Sequence, residues 1–590
     1  VSTAQVVGSA AMPAAQGTFP PSTQEEMDAA IADVRAQKDA WVAQDLPQRI
    51  YLLKRLIDTT LAQSQRWVEA ACEAKGIELG TPGEGEEWLA GPMLTVRNLR
   101  LLRDTLYQLY RYGRIALPGR LTTRPSGQVV AQVFPTSGWD ALLFQGFTGE
   151  VWMEPGLRDA DVLEHQATIY RRKLAGAPPE PGKVALVLGA GNVSSIGPMD
   201  ALYKLFAEDQ VVVLKMNPVN EYLGPIFLDA FKPLADEGFF RVVYGGGAQG
   251  AYLCQHDGVD EIHITGSDKT HDAIVYGVGE EGRRNKENDW PINTKRITSE
   301  LGNVSPVIVM PGEWEPDDLA FQAENLASML ANNAGFNCNA TRVIITHRAW
   351  KQRDAFLDAL EAAFQRIPTR QAYYPGAADR HTAFVQAHPD ARLIGDTQAG
   401  TLPWTLIPDL APDAANDICF TTEAFCSVFG EVSLRGDGSA DPVAFLDEAV
   451  DFCNDTLWGT LNASILLPPS LAALPRVEAA VDRAIEALRY GSVAINHWPA
   501  LSYGFVSTTW GAFPGHTRQD IGSGIGVVHN TYLFERPQKS VIRGPFHPQP
   551  KPPWLATHRT SHVVGRLLTQ FEAKPGLWKL PAILAAVMNG

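Results

Sequence analysis

Four side chains in this sequence have the chemistry to attack, deprotonate or hold a small substrate: Cys338, Glu300, Asn192 and Lys215. Cys338 lies in Asn333-Ala-Gly-Phe-Asn-Cys-Asn-Ala-Thr-Arg342, after a predicted helix over 317–330 that ends in Asn and Gly. A loop after a helix can present a thiol to a cleft, and a thiolate is a strong nucleophile. Taken alone, a single cysteine is more often a packed small hydrophobe. Glu300 lies in Thr298-Ser-Glu-Leu-Gly-Asn-Val-Ser-Pro306, just before the apolar run 307–310. A carboxylate there can act as a base, or can simply face water. Asn192 closes a strand–turn, where a turn or helix-capping role is ordinary. Lys215 ends the next strand, where a solvated lysine is the default. Ile264-Thr-Gly-Ser267 ends a strand and opens a helix, so its free N–H groups could meet a phosphate. Gly245-Gly-Gly-Ala-Gln-Gly250 is a second glycine-rich turn of the same general kind.

The elements that must position these groups follow from periodicity. Apolar runs at 184–188, 211–215, 242–244 and 261–264 read as strands. Between and after them, 198–206, 223–231, 248–256 and 268–276 read as helices. Strands alternating with helices predict a parallel sheet covered on both faces, with ligands beyond the carboxyl ends of the strands. Upstream, 23–75 has helical spacing, with Thr23 and Glu26 placed for a capping box. A second helical stretch covers about 85–112, and 113–182 holds turns and short β-like runs such as 128–133. The charged stretch 278–294 is expected as an exposed loop. A second α/β region covers about 299–514, and no internal repeat is apparent.

Composition bounds the function. The chain has 590 residues, 45% of them hydrophobic and 20% charged, which describes a globular protein of about three to four domains. A net charge of −16 disfavours broad nucleic-acid binding. Six cysteines do not make a disulfide scaffold. Residues 1–34 carry no Lys or Arg, so the basic region of a secretory signal is missing from them. No window of 18 uncharged apolar residues suggests a membrane span. A reduced, cytoplasmic setting is the expectation.

Read in order, Asn192, Lys215, Gly266-Ser267, Glu300-Leu301-Gly302, Cys338 and Glu423-Ala-Phe425 resemble the aldehyde dehydrogenase superfamily. Its Gly-Gln-x-Cys is matched by Gly335-Phe-Asn-Cys338 and its Glu-Leu-Gly-Gly by Glu300-Leu-Gly-Asn303. Its Phe-Thr-Gly-Ser is matched by Ile264-Thr-Gly-Ser267, and its Glu-x-Phe-Gly-Pro-Val by Glu423-Ala-Phe-Cys-Ser-Val428. Tyr490-Gly-Ser-Val-Ala-Ile-Asn496 and Phe513-Pro-Gly515 echo its closing segments. The likeness covers about 24–543.

This resemblance implies an α/β fold with a Rossmann-type cofactor domain, an α/β catalytic domain and a small oligomerisation segment. It divides the chain into a loose N-terminal arm (1–22), a mainly cofactor-binding part (23–299, with 113–135 as a possible oligomerisation segment) and a mainly catalytic part (300–514). A return and oligomerisation strand (515–543) and a C-terminal extension (544–590) complete it. It implies oxidation of an aldehyde to a carboxylic acid with NAD or NADP, through a thiohemiacetal and a thioester on Cys338. Asn192 would hold the oxyanion and Glu300 would activate the hydrolytic water. Lys215 would hold the adenosine ribose, Gly266 and Ser267 the pyrophosphate, and Glu423 the nicotinamide ribose. Phe425 would pack near the nicotinamide, and Gly189, Ala190 and Leu301 would lie along the cofactor. No metal is implied. The family suggests a homodimer or tetramer through a protruding strand, with 113–135 and 539–543 as candidates.

Departures from the family pattern are specific. Ala190-Gly191 replaces Pro-Trp, Phe336 replaces Gln, and Cys426-Ser427 replaces Gly-Pro. Pro218 replaces a Glu common in NAD-preferring members, which leaves NADP open. A CoA-acylating relative and a catalytically silent scaffold are the alternatives; the presence of Glu300 argues against the first. The extension 544–590 carries five basic residues against one Glu. Val563, Leu567, Leu568 and Phe571 give it an apolar helical face suited to packing on the body or a neighbouring subunit, with membrane association the lesser expectation.

Overall fold

The computed structural model describes residues 7–10, 12–435, 438 and 440–590. The strands at 184–188, 211–215, 240–243, 261–266 and 296–301 form a parallel sheet, with the short strand 524–525 antiparallel at one edge. Val184–Leu188 lies at its centre between 211–215 and 261–266, so the topology reverses beside it. The C-terminal ends of the two strands flanking that switch point are Gly189-Ala190 and Gly266-Ser267, where an open α/β sheet takes its ligand.

The second sheet has eleven strands among the described residues. Seven parallel strands, from 404–410 through 428–434, 343–347, 306–309, 462–466 and 492–495 to 537–543, are extended by antiparallel strands at 148–153, 129–134 and 121–123, and by 392–394 at the far edge. The two candidate oligomerisation segments therefore continue this chain's own sheet: Ser540 stands in register with Ser492 on one side and with Val151 on the other. The sheets part at residues 302–305, a few residues past the expected division.

Local chemistry sets the helix ends. Thr23 and Glu26 form the expected capping box, each side chain bonded to the other's backbone N–H. A second box, Asp45 with Gln48, starts a new helix at Leu46, so the expected 23–75 helix is two, Gln24–Ala43 and Leu46–Ala74. The 85–112 stretch is interrupted by one π turn and bends at Gly91, whose φ/ψ of −115/−107 is not helical. A β-carbon at Gly91 would meet Ser194 Oγ at 2.9 Å and the Trp67 indole at 3.2 Å. The bend brings Met93 and Leu94 beside the loop that carries Asn192.

Two expectations are corrected. The stretch 278–294 is not an open loop: Gly279–Glu287 is a helix against Asp268–Tyr276, fastened by Lys286 to Asp272 at 2.7 Å and by Arg518 to Asp289 at 2.8 Å. Two of its charges, Lys286 and Asp289, pair across elements, while Glu280 and Arg283 stay exposed. The N-terminal arm is not loose either, though residues 1–6 and 11 of it lie outside the described residues. Gly8 and Ser9 pair with Thr422 and Glu423, and Ser9 N–H donates to Asp268 at 3.0 Å. Phe19 N–H donates to Glu221 at 2.6 Å, and Ser22 N–H to the Tyr244 carbonyl at 3.1 Å. Backbone pairing of this kind asks nothing of side-chain composition.

The C-terminal extension packs on the body. Helix Ser561–Ala573 lies against the kinked helical segment, and Glu572 is buried between Arg97 (2.7 Å) and Arg100. No helix among the described residues is long and apolar enough to cross a membrane.

Candidate active site

Helix Pro316–Ala331 runs toward the site and stops at Asn332. Asn333, Ala334 and Gly335 then take left-handed φ values of 52°, 56° and 82° in succession. Two of these are not glycine, a strained arrangement that its surroundings must hold. The Asn333 side chain donates to the carbonyls of Asn192 (3.0 Å) and Phe336 (3.2 Å) and accepts from Lys75 (3.1 Å) and the Tyr373 hydroxyl (2.8 Å). Lys75 is itself buried and paired with Glu87 at 2.7 Å. The turn delivers Cys338, half-buried, to the wall of a cavity of about 450 Å³ that Glu300 and Asn192 also line.

Glu300 sits in the last parallel strand of the first sheet and is buried. Its carboxylate accepts from Trp510 Nε1 at 3.1 Å and lines the same cavity as Cys338. Burial, with the Asp200 carboxylate nearby, pushes Glu300 up to about 8. Burial, then Glu300 and Glu423, holds the Cys338 thiol well above its usual range. The Asn192 amide donates to the Phe336 carbonyl at 2.8 Å, which fixes it beside the loop that carries Cys338. These three residues, 192, 300 and 338, are brought together.

The expected cofactor residues lie along a different line. Gly189 N–H bonds the Lys215 carbonyl at 3.1 Å, and the Ala190 carbonyl accepts from Asn220 at 2.9 Å. Burial draws Lys215 down to about 8, opposed by the Glu221 carboxylate. Ser267 caps the helix that starts at Asp268, accepting from Thr270 N–H at 3.1 Å, with exposed Gly266 before it. Asp268 in that first turn has Lys269 at 3.2 Å, which offsets its charge. Leu301 is buried, and its N–H donates to the Ser523 carbonyl at 2.9 Å. Glu423 is buried; burial raises it to about 7 against the pull of Arg342, and its Oε1 has no hydrogen-bond partner. An orphaned buried carboxylate oxygen is costly unless something else satisfies it. A ribose hydroxyl has the right chemistry. Phe425 has a φ of 42° and packs on Tyr374 with ring centres 5.0 Å apart. The residues present thus fit a dinucleotide.

The whole arrangement has known counterparts. The aldehyde dehydrogenase family model matches residues 170–381. The aldehyde dehydrogenase LUC3 of a Fusarium species is 27% identical over 173 residues, a stretch that spans 29% of this chain and 34% of that relative. The NADP-dependent glyceraldehyde-3-phosphate dehydrogenase of Bacillus halodurans, solved with NADP, superposes with a TM-score of 0.56 at 17% identity, covering 90% of this chain and 95% of that one. Aldehyde dehydrogenase C of Pseudomonas syringae, solved with NAD+ and octanal, gives 0.57 at 18% identity, covering 93% and 95%. This chain has the aldehyde dehydrogenase fold.

Within the aldehyde dehydrogenase fold, several supporting residues escaped the sequence reading. Arg342 is buried and bonds the carbonyls of Gly335 (2.6 Å) and Cys426 (2.6 Å), tying the Cys338 loop to the loop after Glu423. Arg380 bonds the carbonyls of Ala424 (3.1 Å) and Phe425 (3.0 Å). These two guanidinium groups hold the backbone where Cys426-Ser427 stands in place of Gly-Pro. Their signal was weak: two arginines 84 and 44 residues from the backbone groups they hold. Gly335 has no space for a side chain, since a β-carbon would lie 2.6 Å from the Cys426 carbonyl oxygen. Gly335→Ala is expected to cost about 1–3 kcal/mol in a urea titration and to lower activity at least tenfold. An unchanged midpoint with full activity would show that the turn does not set the position of Cys338.

Proposed function

We propose that this protein oxidises an aldehyde to a carboxylic acid with NAD or NADP. The observation that supports this best is the convergence of Cys338, Glu300 and Asn192 on the wall of one cavity. The thiol is weak as it stands, because its walls and two carboxylates disfavour a thiolate. Glu300, with its raised affinity for a proton, accepts the thiol proton as Sγ attacks the aldehyde carbon. The oxyanion that forms is held by the Asn192 amide and the Cys338 backbone N–H. Lys215, Glu423 and the Gly266-Ser267 turn would hold the dinucleotide, which supplies the hydride acceptor when bound. The resulting thioester on Cys338 is hydrolysed by water from which Glu300 withdraws a proton. In the cell this activity would be expected of a cytoplasmic homo-oligomer.

Glu300→Gln tests the base role. Because Glu300 also takes the thiol proton, the first equivalent of reduced nicotinamide per chain should form more slowly than in the unmodified protein, and steady turnover after it should be at least a hundredfold slower. Full steady turnover would remove Glu300 from the hydrolytic step, and a rise on adding CoA would favour acyl transfer. The pH profile carries its own sign. Glu300 holds its proton below about 8, so hydrolysis should rise with pH, tenfold per unit, and level off above about 8. A flat profile from pH 6 to 9 would contradict the assignment.

A further inference from the structure

The residues assigned to the dinucleotide stay out of the cavity at Cys338: none of Lys215, Ser267, Glu423 and Phe425 lines it. It therefore belongs to the carbon skeleton of the aldehyde, a reading that rests on the proposed function. From Cys338 it passes between Leu94 of the kinked helix and Leu501 and Phe505. Its outer wall comes from the C-terminal extension, through Trp554, Leu555 and Leu568.

That wall is fastened on two sides. On one, Ala556 N–H donates to Ser328 Oγ at 2.9 Å and Lys551 pairs with Glu324 at 2.7 Å, both partners lying on the helix that leads to Cys338. On the other, a β-carbon at Gly565 would meet Trp88 Cβ at 2.6 Å, and Glu572 is held by Arg97 and Arg100. The extension is thus a built part of the cavity.

Charge along the lining excludes whole classes of substrate. Its one arginine, Arg370, is committed to both oxygens of Glu86 at 2.9 and 3.2 Å, and no lysine lines it. Asp200, near the reacting end, accepts from Thr265 at 2.8 Å. A phosphate or carboxylate on the substrate would find carboxylates and no unpaired cation among the described residues. We propose that residues 544–590 form the selecting wall of the active site, and that the substrate is an uncharged aldehyde with a long alkyl or equally bulky apolar body.

Burying one methylene is worth about fourfold in affinity. Decanal has seven more carbons than propanal, so kcat/KM should favour decanal by at least a hundredfold. Succinic semialdehyde, which carries a carboxylate, should do no better than propanal. Trp554→Ala should shrink the decanal-to-propanal ratio at least tenfold. A readout that needs no turnover is binding of 1-decanol to the full chain by calorimetry, which Trp554→Ala should weaken at least tenfold. If no aldehyde is oxidised but 1-decanol binds in this way, the oxidation reading fails and the apolar wall stands. If aldehydes are oxidised with propanal or succinic semialdehyde matching decanal, or if 1-decanol does not bind, the wall proposal falls. The comparisons on the unmodified protein decide the matter even if the variant does not fold.

Discussion

Cys338→Ala is expected to abolish aldehyde oxidation, with kcat at least roughly 10⁴-fold below the unmodified protein. No other thiol can take its place, because Cys72, Cys254, Cys419, Cys426 and Cys453 are all buried. Those five are packed within the protein, whereas Cys338 opens on the cavity. A thiol reagent applied to the native protein should therefore label one cysteine per chain, and none in the variant. Folding should survive, since the change removes only a sulfur atom that lines a cavity and leaves the loop's backbone bonds in place. Loss of the thiol should also move the titration of Glu300 upward, because the Cys338 side chain lowers it. Residual oxidation within tenfold of the unmodified rate would mean that the reaction does not pass through a thioester. Labelling of a different cysteine would mean that the cavity is not the accessible route to the site.

Glu572→Ala is expected to destabilise the protein by about 3–5 kcal/mol. Arg97 and Arg100 are both buried where they meet this carboxylate. Without it, Arg97 keeps Asp140 at 2.8 Å, but Arg100 keeps only half-exposed Asp104 at 3.6 Å. A buried guanidinium left short of a partner loses far more than a surface pair would. The loss should appear first in the extension: limited proteolysis should cut within 561–588 before it cuts the body. Glu572→Gln, which keeps the shape and one acceptor oxygen, should lose less than Glu572→Ala. If urea midpoints of both variants match the unmodified protein, the cluster does not hold the extension in place. Such a result would also undercut the view of that segment as a fixed wall.

That Asn192, Glu300 and Cys338 would meet at one cavity was legible because short local patterns carry their chemistry. Gly335-Phe-Asn-Cys338 and Glu300-Leu-Gly302 could be read without knowing what packs on them. The alternating strands of the first sheet were equally readable, and the helix at 268–276 falls where its spacing placed it. What could not be read is the support. Asn333 is held from Lys75, 258 residues away, and Arg342 reaches a carbonyl 84 residues on. No window of sequence contains both ends of such a contact. The helix at 279–287 was hidden for a related reason: its charges look solvated until Asp272 and Arg518 are brought to their partners. The arm was hidden because Ala, Gly and Pro have no strand-forming signature, and its pairing uses backbone alone.

That arm joins the two halves of the molecule at the crevice between them. Asp268 and Glu221 belong to the first sheet's elements, while Thr422 and Glu423 precede a strand of the second. Ser9 is bonded to both halves, and Phe19 again to the first. The halves cannot hinge apart at this crevice without releasing the Gly8–Thr422 and Ser9–Glu423 pairs or the bonds to Asp268 and Glu221. Residues 8–9 and 19–22 therefore act as a seam: separating the two halves requires breaking backbone hydrogen bonds, not only side-chain contacts.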